Sequence, residues 1–192
     1  MVFAGEWNTI YAANRHLSVW PWSELVALVM RHARPGEATA QLRVLELGVG
    51  AGANIPFFAS IGADFWGIDG SSVIIERLRE AYPELADHFL VADFVADWPL
   101  DGRFDLIVDH GSLTHNTGAD IARTLAQAKA RLADGGLIVA VDLFSSAFDE
   151  YASGEPTEDH YTRCNFQRGR LAGTGLEKIG RASCRERVYL CV

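Results

Sequence analysis

The chain has 192 residues, 49% of them hydrophobic and 22% charged, enough for one domain with its own core. Its formal charge of −8 repels phosphate backbones and argues against a nucleic-acid partner. Three cysteines in no metal-like spacing, no long apolar run and no signal-peptide pattern argue against a disulfide framework, a metal site, a membrane span and secretion; the expected setting is the cytoplasm.

The N-terminal stretch carries Trp7, Tyr11, Trp20 and Trp22. These rings either pack on a sheet edge or fold over a ligand as a lid. A helix is expected from Ser23 to about Ala33, with Ser23 as its cap, Leu25, Leu28 and Val29 as its apolar stripe, and Pro35-Gly36 as its stop. Arg43–Leu47 reads as a first strand, followed by a glycine-rich loop and a helix capped by Asn54 that runs to Ser60. Phe65–Ile68 is a second strand ending at Asp69. Ser71 or Ser72 then caps a helix bearing Ile74, Ile75 and Leu78.

Phe89–Ala92 and Phe104–Val108 are third and fourth strands, ending at Asp93 and Asp109. A helix over Asp120–Ala133 leads to a fifth strand, Leu137–Leu143, apolar almost throughout. Alternating strands and helices point to an α/β fold with a parallel sheet. From Ser145 to Gly175 the pattern fades into a long loop over the site, whose later part, Tyr161–Leu176, is a candidate wall of a substrate pocket.

Chemistry concentrates in Val44-Leu-Glu-Leu-Gly-Val-Gly-Ala-Gly-Ala-Asn54. Alternating glycines let a ligand approach the backbone, and the helix start beyond them presents N–H groups to an anion. Gly48, Gly50 and Ala53 also satisfy the dinucleotide pattern, and Asp69 lies 21 residues after Gly48, as a ribose-binding acid would. The loop alone therefore fits either a nicotinamide oxidoreductase or a methyl-donor enzyme. Asp69, Asp93 and Asp109 all stand at carboxyl ends of strands, where open α/β sheets bind ligands; each could equally cap a turn.

The neighbours of the loop carry a resemblance. Glu46-Leu-Gly-Val-Gly-Ala-Gly52, Phe65-Trp-Gly-Ile-Asp-Gly-Ser71, Val91-Ala-Asp-Phe94, Phe104-Asp-Leu-Ile-Val-Asp-His-Gly111 and Arg131-Leu-Ala-Asp-Gly-Gly-Leu-Ile138 resemble, in order and spacing, the motifs of class I S-adenosylmethionine-dependent methyltransferases. The resemblance covers roughly 42–144. It implies a Rossmann-like parallel sheet of order 3-2-1-4-5. It also implies S-adenosylmethionine as cofactor, held by Glu46, Gly48, Gly50, Gly52 and Asn54 around its methionine part, by Asp69, Gly70 and Ser71 at the ribose, and by Ala92, Asp93, Phe94 and Asp109 near the adenine and the acceptor. Asp109, His110 and His115 are the candidate catalytic residues, since they follow the fourth strand and histidine suits proton transfer near neutral pH. The implied reaction is methyl transfer to a small-molecule acceptor; a non-catalytic cofactor-binding fragment is the other outcome.

Residues Lys178–Val192 change character. Lys178, Arg181, Arg185 and Arg187 face one acid, Glu186, and two of the three cysteines lie here. Lys178-Ile-Gly-Arg-Ala-Ser-Cys-Arg-Glu-Arg-Val188 resembles the translation of a sequencing-adaptor oligonucleotide. The expected organisation is an N-terminal helical or lid segment over 1–41, an incomplete methyltransferase domain over 42–177 and a non-native tail over 178–192. Strands six and seven would then be missing and the fifth strand would be an open edge.

Overall fold

A computed structural model of the chain describes residues 5–37, 40–96, 98–141, 150–169, 172–174, 176, 178–179 and 189–191. In chain order these form α1 (Glu6–Ala12), α2 (Ser23–His32), β1 (Arg43–Leu47), α3 (Ile55–Ser60), β2 (Asp64–Asp69), α4 (Ser72–Ala81) and β3 (Phe89–Val91). There follow β4 (Phe104–His110), α5 (Gly118–Ala130), β5 (Leu132–Val141), β6 (Glu155–Pro156), β7 (Thr162–Cys164), β8 (Lys178–Ile179) and β9 (Tyr189–Cys191).

Five parallel strands lie in the order β3-β2-β1-β4-β5. β1 is central, with Val44 beside both Phe65 and Leu106, and its buried Val44, Leu45 and Leu47 explain its unbroken apolar run. Alternate strand residues feed two cores. One face packs Val44, Phe65 and Val108 against α2, α3 and α4; the other packs Leu45, Ile68 and Ile107 with Trp98 and α5. The sheet reverses its winding direction at β1 and β4, and the carboxyl ends of these strands open the crevice where such sheets bind ligands.

Local signals set most boundaries. Ser71 caps α4, its hydroxyl accepting from Ile74 N at 3.4 Å. Thr117 caps α5 by accepting from Asp120 N at 3.3 Å, so this helix starts at Gly118, two residues before the expected Asp120. α5 ends at Ala130, before the expected Ala133, and β5 begins at Leu132 with a register shift opposite Phe104 and Leu106. β4 runs on to His110, so Asp109 and His110 are strand residues. Ser23 is the first residue of α2 and not its cap; Trp22 takes that position.

Two expectations at the C-terminal side need correction. β5 is not an open edge: β9 pairs with it antiparallel, Val139 opposite Tyr189 and Leu137 opposite Cys191. The stretch after Ser145 is not loop alone, since β6, β7 and β8 form a separate antiparallel sheet. That sheet is tied to the main body by Asp159, whose carboxylate accepts from Gly118 N at 2.7 Å. Asp142 and Leu143 of the expected fifth strand, and most of the expected foreign tail, fall outside the described residues.

Candidate functional site

The crevice is floored by the loop after β1. Gly48, Gly50 and Gly52 all have positive φ, at +65°, +51° and +78°. Side chains are excluded there twice over. A Cβ on Gly48 would collide with Ser112, and one on Gly52 would stand 2.6 Å from Ile55 Cδ1 and 2.8 Å from Leu78 Cδ2. The third glycine thus serves the seating of α3 and α4 beneath the loop.

Three carboxylates lie buried at the ends of the three adjacent strands, with Glu46 3% exposed, Asp69 6% and Asp109 1%. Asp69 joins the loop to the turn after β2: its oxygens accept from Gly50 N at 3.0 Å and Ser71 N at 2.9 Å. Burial pushes its carboxyl up to about 6 against the pull of those bonds. Glu46 Oε1 accepts from Asn54 Nδ2 at 2.7 Å, while Glu46 Oε2 is buried with no hydrogen-bond partner. Burial, then the negative Asp109 and Asp69, push Glu46 up to about 8. Asp109 turns into the chain that follows it. One of its oxygens accepts from Leu113 N at 2.9 Å and Ser112 N at 3.2 Å and meets the Ser112 hydroxyl, shaping the 3₁₀ turn Leu113–His115.

Asn54 does not cap α3. Its Nδ2 serves Glu46 and its Oδ1 accepts from Trp22 N at 3.2 Å. Asp93 likewise closes a turn, accepting from Val95 N at 2.9 Å, and Ala92 N donates to Asp69 O at 2.9 Å. Between them, half-buried Phe94 stands with its ring edge 3.7 Å from where a Gly48 side chain would begin. Gly70 lies between Asp69 and Ser71 in the turn that the Asp69 carboxylate closes.

The two histidines meet tryptophans of the N-terminal segment. His110 stacks on Trp22, centroids 4.2 Å apart and planes 10° from parallel. His115 meets Trp7 edge-on at 5.1 Å. α1 lies over the crevice beside them. Asn8 Oδ1 accepts from the Ser71 hydroxyl at 2.6 Å, and the Tyr11 hydroxyl would stand 3.3 Å from a Cβ at Gly50. Burial and the nearby Asp69 raise the Tyr11 phenol well above its ordinary range. α1 is covered in turn: Ile10 packs with Phe166 and Leu176, with Trp7 against them. Asn8 and Ser112 were not singled out by the motifs. Asn8 and Tyr11 share one face at a spacing of three, which is the signal that a seven-residue helix offers.

Residues 44–136 match the family model described as a methyltransferase domain. A protein-L-isoaspartate O-methyltransferase of Methylorubrum populi is 35% identical over 108 residues, which cover 55% of this chain and 45% of that protein. The glycopeptide N-methyltransferase MtfA, solved with S-adenosylmethionine, is 25% identical with a TM-score of 0.53, over 70% of this chain and 58% of that one. A Rhodobacter sphaeroides structure provisionally named a Zn-dependent alcohol dehydrogenase gives a TM-score of 0.61 over 90% of this chain and 77% of that one; at 15% identity it shows a shared fold alone. The chain spans about half the length of the two methyltransferases.

The residues present suit the cofactor of that family: a loop with glycine at alternate positions, buried acids, an orphaned carboxyl oxygen on Glu46 and a ring beside the loop. Segment 44–136 thus matches a methyltransferase domain, and the sheet has the strand order that the resemblance to class I S-adenosylmethionine-dependent methyltransferases implied.

Proposed function

We propose that the chain transfers a methyl group from S-adenosylmethionine to a nucleophilic oxygen or nitrogen of a small molecule. The observation that supports this most is the orphaned, buried Glu46 Oε2 beside the glycine loop, an acceptor without a donor where a cationic cofactor group would supply one. In this reading the tightly turned glycine loop lets the methionine portion approach its backbone at Gly50, and Glu46 receives its ammonium. Asp69 and Ser71 hold the ribose hydroxyls, while Phe94 packs on the adenine beside Asp93.

The bound cofactor supplies a methyl group already activated on a sulfonium. What this chain adds is alignment and proton management. Trp7 and Trp22 present rings at the end of β4, and His110 and His115 stand against them. The acceptor would sit on that side: as its nucleophile bonds to the methyl carbon, the carbon–sulfur bond would break with its electron pair left on the sulfur of S-adenosylhomocysteine, and the acceptor's proton would go to one of these imidazoles. Asp109 sets the turn that carries His115 and takes no proton itself.

Calorimetric titration with S-adenosylhomocysteine tests the cofactor half. Binding is expected, and a chain that takes NAD(H) but not S-adenosylhomocysteine would overturn the reading. For the acceptor half, His115→Ala is expected to keep S-adenosylhomocysteine affinity within about twofold and to lose roughly 10²–10⁴ in turnover across a small-molecule panel. Unchanged turnover rejects His115 and leaves His110 as the base.

A further inference from the structure

We infer that Asn54 is a positioning residue: by holding the backbone of Trp22 it sets the plane of the His110 imidazole, and it joins that imidazole to Glu46 in the cofactor loop. The inference rests on reading His110 as an acceptor-side residue.

Asparagine at the start of a helix ordinarily turns its side chain onto the first N–H groups. Asn54 occupies that position before α3 and makes no such bond. Its side-chain amide instead reaches two distant places. Nδ2 donates to Glu46 Oε1 at 2.7 Å, and Oδ1 accepts from Trp22 N, 32 residues away in sequence, at 3.2 Å. The residue is 1% exposed, so each end of the amide must find a partner inside the protein. The two partners are of opposite kind, an acceptor and a donor, and this fixes which way the amide faces.

Trp22 is held on both sides. Its N–H goes to Asn54, and its carbonyl accepts from Val26 N at 3.0 Å in the first turn of α2. α2 is itself anchored by Leu25, Leu28 and Val29. Pro21 restricts the backbone just before it. The indole so fixed lies nearly parallel to His110, covering one face of the imidazole and opposing its rotation out of that plane. The path from the cofactor loop to the acceptor side is therefore two hydrogen bonds and one ring stack: Glu46, Asn54, Trp22, His110. A group that takes up Glu46 Oε2 acts on the other oxygen of the same carboxyl that Asn54 holds.

The indole ring current gives a direct readout. In carbon-resolved proton spectra of the full chain, the ring protons of His110, assigned with His110→Gln, are expected upfield of ordinary histidine positions. Trp22→Ala defines the unstacked value. Asn54→Ala is expected to move His110 at least half-way to it. The imidazole of His88, stacked on Trp66 at 4.0 Å in a separate place, should stay where it was and serves as the internal control. If Asn54→Ala does not fold, Asn54→Ser, too short to span both partners, carries the same expectation.

A merely structural Asn54 would lower the melting temperature and leave the His110 shift untouched, and that result overturns the inference. The ligand-free spectra decide this without any cofactor, so failure of S-adenosylhomocysteine to bind counts against the proposed function alone.

Discussion

The two ends of the parallel sheet are built on opposite electrostatic terms. At the amino end Arg43, Asp64, Asp105 and His88 all have partners. Arg43 pairs with Asp64 at 3.3 Å, lies over the rings of Trp66 and Phe104, and donates to the carbonyls of Asp101 and Arg103. Asp105 accepts from Arg43 N at 2.8 Å, and His88 stacks on Trp66 within 3.5 Å of Asp64. At the carboxyl end Glu46, Asp69 and Asp109 are buried more deeply, and the partners seen for their oxygens are backbone N–H groups, an amide and a hydroxyl. Burying acids close together is costly, so a fold selected for stability alone would not gather them there. The amino end holds the sheet together, and in the function proposed above the carboxyl end receives a ligand with positive charge and hydroxyl donors.

The sharpest way to break this contrast is at the loop. Gly48→Ala places a side chain against Ser112 at φ +65° and is expected to cost about 2–4 kcal/mol. S-adenosylhomocysteine affinity should fall roughly 100-fold, on the scale of about 3 kcal/mol. Retained affinity in calorimetry would mean that the ligand sits elsewhere.

Next in size is the response to pH. Burial holds Glu46 at about 8 and Asp69 at about 6, both above their ordinary values. The folded chain therefore keeps protons that the unfolded chain has already released. The associated stability is fully present below the ordinary carboxylate range and is lost as pH rises through about 6 and then about 8. The melting temperature of the ligand-free chain is expected to fall from pH 5 to pH 8.5. Glu46→Gln should flatten the upper part of that decline, and a slope unchanged in Glu46→Gln would show that Glu46 does not carry it.

The smallest effect belongs to the other end. Arg43→Ala should lower stability by about 1–2 kcal/mol, a drop of about 2–8 °C in melting temperature. S-adenosylhomocysteine affinity should not change, and if it does, the two ends are not the separate regions described above.

Much of this was readable in the order of residues. The five strands and the glycine loop follow from hydrophobic runs punctuated by glycine and aspartate, which are local signals, and the acids at the strand ends follow with them. What escaped was long-range. Asn54 has the position of a cap and does not act as one, because Glu46 and Trp22 compete for its amide and only the fold brings Trp22 there. Spacing places His110 and His115 after a strand, but their pairing with Trp22 and Trp7 depends on how the N-terminal segment crosses the sheet edge. The edge of β5 misled for the same reason, since its partner β9 lies about 50 residues further along the chain.

The cluster of Ile10, Phe166 and Leu176 bears on how the molecule is made. α1 leaves the ribosome before the other described elements, yet the side chains that cover Ile10 are synthesised more than 150 residues later. The parallel sheet needs only nearer contacts and can assemble before them. On the nascent chain the crevice is therefore roofless, and docking of α1 is expected as a late step. Pulse-labelling hydrogen exchange during refolding should show amides of β1 protected before those of α1; the reverse order would mean that the helix finds its place without Phe166 and Leu176.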